Sequence, residues 1–168
     1  MHQALRAGDR VRRLVLESAS PGLATQEERE ARRRADDELA ARILDDGVEA
    51  FVDAWERLSL FDTQRGLADG VRSRHRKGRL ANDPASLAAA LRGLGTGSLP
   101  SLWDRLGEVR AEVLVLVGEH DGKFVEIGRA MTDRLPSAEL QVVEGAGHTI
   151  HLERPAAWLH RVCTFLGR

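Results

Sequence analysis

The chain has 168 residues, about the size of one domain, and its 30% charged and 42% hydrophobic residues exclude a disordered polymer. A net charge of −1, aromatics at only 4% and no tyrosine give no basic or stacking surface for nucleic acid and no attraction to an anionic membrane. One cysteine, Cys163, excludes an internal disulfide and a cysteine-rich zinc site, and no apolar run is long enough to span a bilayer. No leader peptide is visible, so a cytoplasmic protein is expected.

In chain order, "MHQALRAGDRVRRLVLES" reads as the tail of a helix entering a strand over Arg12–Ser18, an opening that suggests more chain upstream. Ser18-Ala19-Ser20-Pro21-Gly22 is loop chemistry. Thr25-x-x-Glu28 matches a capping box, and Ala31, Ala35, Leu39, Ile43 and Leu44 recur at helical spacing up to Gly47. The charges on that helix suggest pairs such as Glu28/Arg32 and Glu30/Arg34. Val48, Phe51, Val52 and Trp55 mark a second amphipathic helix, and a third runs around Leu67 and Val71. Asn82-Asp83-Pro84 opens a fourth, which carries Leu87, Ala88, Leu91 and Leu94 and stops before Gly95.

The pattern changes near residue 108. Val113–Val117 is an unbroken apolar run, which suggests a strand buried on both faces of a parallel sheet. A helix follows, with Phe124, Ile127, Gly128, Met131 and Leu135 on one face. Leu140–Val143 is a second strand, and "PAAWLHRVCTFL" is a closing helix with Trp158, Leu159, Val162 and Leu166 inward. Residues 108–168 therefore read as a βαβα unit with a right-handed crossover. Cys163 falls in the last helix and reads as a small buried hydrophobe.

Ligands of open α/β sheets bind beyond the carboxyl ends of the strands. Asp121 follows the first of these strands, His148 the second, and adjacent parallel strands bring such loops together. A carboxylate hydrogen-bonded to an imidazole fixes its tautomer and stabilises its charged form. Gly145 and Gly147 allow a tight turn before the histidine. Singly, Asp121-Gly122 is an ordinary turn pair and His148 a packing residue; together they point to acid–base chemistry. A metal site at His148 and His151 lacks a third ligand, so no metal and no cofactor are expected.

Two segments, "LVLVGEHD" and "VVEGAGHTIHLERP", resemble the C-terminal half of an α/β-hydrolase, which supplies Gly-x-x-Asp and then Gly-His in that order. "VGEHDGKF", "ESASPGL", "FVDAWERLSLF" and "RLANDPASLAAALRGLGTGSLPSLWDRL" are similar to the menaquinone-pathway 2-succinyl-6-hydroxy-2,4-cyclohexadiene-1-carboxylate synthases. These are lyases on that fold, which expel pyruvate from an enolpyruvyl precursor. The resemblance implies a partial α/β-hydrolase fold, with parallel strands and an inserted helical cap. It divides the chain into a core segment over 1–22, a cap over 23–98 and a βαβα core over 99–168. It assigns His148 and Asp121 to catalysis, and Arg32, Arg79, Trp55, Phe124 and Phe61 to a small tricarboxylate substrate, with no nucleic-acid or membrane partner. Arginine suits such a ligand because its guanidinium grips carboxylates with two donors. Arg33 and Arg34 compete with Arg32, and Arg76 with Arg79; Trp55 is equally readable as core packing.

The family's nucleophile elbow, Gly-x-Ser-x-Gly, does not occur in these residues. Ser18 and Ser20 follow a strand but sit on no such turn. The chain alone is therefore expected to be inactive and poorly soluble, or to need a complementary N-terminal fragment. Two other readings stand beside the lyase: a piece of an esterase-like hydrolase, and a non-enzymatic carboxylate-binding or regulatory fragment.

Overall fold

The computed structural model describes residues Met1–Gly167. In chain order these form α1 (His2–Ala7), β1 (Arg13–Glu17), α2 (Gln26–Trp55), α3 (Asp69–Leu80), α4 (Pro84–Leu94), β2 (Glu112–Gly118), α5 (Gly122–Thr132), β3 (Ala138–Val143), α6 (Ile150–Glu153) and α7 (Pro155–Leu166). They divide into two compact units: Met1–Pro21 with the chain from Leu102 onward, and Gly22–Ser101. No helix among the described residues is long and apolar enough to cross a membrane.

The first unit is built on a parallel sheet in the order β1-β2-β3. Central β2 is buried from Val113 to Gly118, as its unbroken apolar run requires. Successive side chains on a strand point to opposite faces, so β2 feeds two cores. Val113, Val115 and Val117 pack with Leu106, Val125, Met131 and Leu135 on one face. Leu114 and Leu116 pack with Val143, Ala146, Ile150 and Val162 on the other. In α7, Val162 is buried, but Leu159 and Leu166 are 56% and 36% exposed rather than inward. Cys163 is half-buried.

The second unit is helical. Thr25 Oγ1 accepts from Glu28 N at 3.1 Å, and Thr25 N donates to Glu28 Oε2 at 2.9 Å, the reciprocal pair of a capping box. The Thr25 amide holds the Glu28 carboxyl below its ordinary value. As the sequence suggests, two helices meet here: α2 is interrupted at Gly47, whose φ of 84° and ψ of 171° are not helical. Its buried residues are Asp36, Ala40, Ile43 and Val52, while Ala31, Ala35 and Leu44 are exposed. Nor does Arg32 pair with Glu28, which is engaged in the cap; its Nε donates to Asp36 Oδ1 at 2.8 Å. At α4, Asp83 accepts from Ser86 N at 2.8 Å with Pro84 in the first turn, as the sequence suggests. A 3-10 segment over Ser59–Gly66 was not anticipated.

Candidate active site

Asp121 lies three residues past the end of β2 and begins α5; His148 lies in the loop after β3. Because β2 and β3 are adjacent and parallel, both loops leave the same edge of the sheet. His148 Nδ1 is 2.6 Å from Asp121 Oδ2. The Asp121 side chain is 5% exposed and that of His148 is 22% exposed, so the carboxylate is shielded while the ring retains access to solvent. A carboxylate facing Nδ1 accepts a hydrogen bond from an N–H there, which makes Nε2 the basic nitrogen of the neutral ring. Phe124, on the first turn of α5, meets the imidazole edge to face at a centroid distance of 4.6 Å. Lys123 approaches the Phe124 ring at 6.0 Å.

Backbone bonds lock the two loops together. Glu119 N donates to Val143 O at 3.1 Å, and His120 N to Ala146 O at 2.9 Å. Gly145 has φ +64°, a conformation that side chains with a Cβ rarely adopt. Its amide donates to Glu119 Oε2 at 2.8 Å. His151 turns away from His148 toward β1: its Nδ1 is 2.9 Å from Glu17 Oε1, and its amide donates to the same oxygen at 3.1 Å. Among the described residues no cluster of three or more His, Cys, Asp or Glu could hold a metal.

Glu17, Glu119 and the buried Glu153 are not singled out by the sequence: Glu119 and Glu153 bind loop amides and Glu17 binds the amide and ring of His151, 134 residues away, and a sequence reveals neither the course of a loop nor so distant a contact.

Ser18, just past β1, has φ 41°, and its Oγ is buried without a hydrogen-bond partner among the described residues. Both features oppose stability. Ser18→Gly removes both, against a smaller cost from the greater entropy of the unfolded chain. It should stabilise the chain by about 1 kcal/mol in thermal or urea unfolding. Ser18→Ala, which keeps the strain, should gain less; equal gains would remove strain from the explanation.

The remaining sequence candidates lie in the helical unit. Trp55 and Phe61 stack at a tilted 5.5 Å, and the Arg79 guanidinium lies 5.9 Å above the Phe61 ring, so three of the four form one cluster. Phe61 is 8% exposed. Arg79 Nη1 donates to Glu56 Oε1 at 2.8 Å. Its rival Arg76 is more fully engaged: it sits 2.7 Å from Asp53, 2.9 Å from Glu56 and 3.7 Å from Glu49. Hydrogen bonds that Arg76 donates to Asp53 first and Glu56 second raise its proton affinity. Arg32, the fourth candidate, is held by the buried Asp36, whose Oδ2 has no partner among the described residues.

Residues 2–162 match the Alpha/beta hydrolase family. A Bacillus subtilis (strain 168) protein, provisionally assigned as 2-succinyl-6-hydroxy-2,4-cyclohexadiene-1-carboxylate synthase, is 48% identical over 94% of this chain and 58% of its own length. The solved structure of MenH from S. aureus superposes with a TM-score of 0.96 at 36% identity, over 99% of this chain and 62% of that one. A thermophilic esterase from Thermogutta terrifontis, solved with malate bound, gives 0.78 at 25% identity, over 97% of this chain and 58% of that one. The chain thus spans less than two thirds of each of these relatives.

Proposed function

Because the chain belongs to the alpha/beta hydrolase family, we propose that it carries the acid–histidine part of a 2-succinyl-6-hydroxy-2,4-cyclohexadiene-1-carboxylate synthase acting in cytoplasmic menaquinone biosynthesis. The observation that carries this reading is the 2.6 Å contact between Asp121 and His148 on adjacent strand ends. The 48% identity to the B. subtilis relative supports the choice of reaction.

In this reading Asp121 holds the His148 proton on Nδ1, and Nε2 draws the proton from a serine hydroxyl. The serine oxygen then removes a carbon-bound proton from the substrate, the electron pair left behind breaks the C–O bond and expels the enolate of pyruvate, and that enolate takes up the proton held by the His148 imidazolium, directly or through water, to become pyruvate. The serine comes from a segment outside these 168 residues, on the same or a complementary chain. Arg79 with Trp55 and Phe61, and Arg32, supply cationic and aromatic contacts for the carboxylates, and Phe124 lines the imidazole side. Arg79 fits this role better than Arg76, whose charge three carboxylates already answer.

The esterase likeness supports a second reading, hydrolysis of a simple ester. The two are separated by completing the chain with an upstream segment that bears Gly-x-Ser-x-Gly. Pyruvate release from the enolpyruvyl precursor is then compared with hydrolysis of a short-chain ester. The synthase reading expects pyruvate release to dominate, and Arg79→Ala to lower its kcat/KM by about 30-fold or more, the worth of a charged hydrogen bond. Dominant ester hydrolysis that is indifferent to Arg79→Ala would overturn it.

A further inference from the structure

We propose that Glu153 is a positioning residue for His148, gripping the backbone on both sides of it; the proposal rests on the reading of His148 as the site's base. Gly147 N donates to Glu153 Oε2 at 2.5 Å, and Thr149 N donates to Glu153 Oε1 at 3.1 Å. One carboxylate thus spans the histidine, with one oxygen for each flanking amide. Glu153 is only 7% exposed. Burying a carboxylate is expensive unless its oxygens are satisfied, and bonds from amides to an anion are stronger than neutral ones.

The local chain supports the same role. Glu153 is the last residue of α6, and its own amide donates to Thr149 O at 3.0 Å, so the helical turn closes back on the loop. Arg154 lies against Gly145, with Nη1 donating to the Glu153 carbonyl oxygen at 3.2 Å, so its guanidinium meets the backbone of Glu153 as well. Ile150, which follows Thr149, is fully buried beneath the sheet face formed by Leu114 and Leu116. With Gly147 and Thr149 held and Ile150 anchored, the His148 backbone has little freedom, and its ring is delivered to Asp121.

The geometry asks for glutamate in particular. Glutamine places an N–H₂ group against one of the two amide donors, so one bond becomes a repulsion. Aspartate keeps the charge but lacks the methylene that lets both oxygens reach. Glu119 provides an internal control, because it holds only Gly145, further from His148.

The test needs no substrate and therefore stands apart from the lyase assay. In the ¹⁵N-labelled 168-residue chain, amide hydrogen exchange is read at Gly145, Gly147 and Thr149, and long-range ¹H–¹⁵N correlations give the His148 tautomer. The parent should hold the His148 proton on Nδ1. Glu153→Gln should speed exchange at Gly147 and Thr149 by about tenfold or more and mix the tautomers. Glu153→Asp should lose protection at one amide only. Glu119→Gln should release Gly145 and leave the tautomer as in the parent. A Glu153→Gln chain that merely melts earlier, with parental tautomer and protection, would overturn the proposal. So would loss of the fold in both Glu153 variants, which assigns the carboxylate to the core. A failed pyruvate assay beside a disturbed His148 tautomer would count against the lyase reading alone.

Discussion

Gly118→Ala should destabilise the chain by about 3 kcal/mol, the upper end for an overpacked core, and lower its melting temperature by roughly 6–12 °C. A Cβ on Gly118 would lie 2.0 Å from Gly147 O and 2.5 Å from Ala146 O. Both are backbone atoms, so no side-chain rotation relieves the clash; the end of β2 and the histidine loop must separate. That movement strains the bond from His120 N to Ala146 O and draws His148 from Asp121. A displacement of about 1 Å at such a site costs on the order of a hundredfold in rate. Gly107→Ala is the control, since nothing lies within 4 Å of its added Cβ. Thermal unfolding that shifts equally in both variants would refute the close-approach role of Gly118.

Asp121→Asn should have the largest catalytic effect of any isosteric change. Asparagine fills the same space, but its amide can donate to Nδ1 and so favour the tautomer with the proton on Nε2. A ring protonated on Nε2 accepts no proton from a serine. Where a buried aspartate supports a catalytic histidine in this way, its loss costs about 10⁴ in kcat. Asp121 is 6% exposed, so water cannot readily take its place. On the proposed roles, in which Asp121 organises the base and does not bind substrate, the effect falls on kcat rather than on KM.

Much of the sheet unit was legible in the sequence because its signals are local and strong. The apolar run at Val113–Val117, short and ending at a glycine, suggests a strand covered on both faces, and it placed Asp121 at a strand end. The caps at Thr25 and Asp83 were equally clear, since each depends on side-chain chemistry within three residues. The helical unit was harder. In α2, alanines and charges leave the buried face undecided: Ile43 is buried as its spacing suggests, but packing selected Asp36 and Ala40 over Ala31, Ala35 and Leu44. Arg32 looked like a surface cation among three and proved to be the partner of a buried carboxylate. Leu159 and Leu166 carry the right periodicity on α7, yet remain exposed. The carboxylates around His148 were the least legible. Glu119 and Glu153 act on amides whose directions depend on loop dihedrals, and Glu17 meets His151 from the far end of the chain; residue spacing encodes neither. Arg79 and Phe61 stand 18 residues apart in sequence, and only the fold brings the guanidinium over the ring.

The central claim, that Asp121 and His148 form the acid–histidine pair of a pyruvate-expelling enzyme, meets its most direct test in one assay. The chain is joined to an upstream segment bearing Gly-x-Ser-x-Gly, and pyruvate release from the enolpyruvyl precursor is followed for the parent and for Asp121→Asn. The account predicts measurable turnover in the parent and a loss of about 10⁴ in kcat, with little change in KM, in the variant. Release by Asp121→Asn within a few-fold of the parent would contradict it.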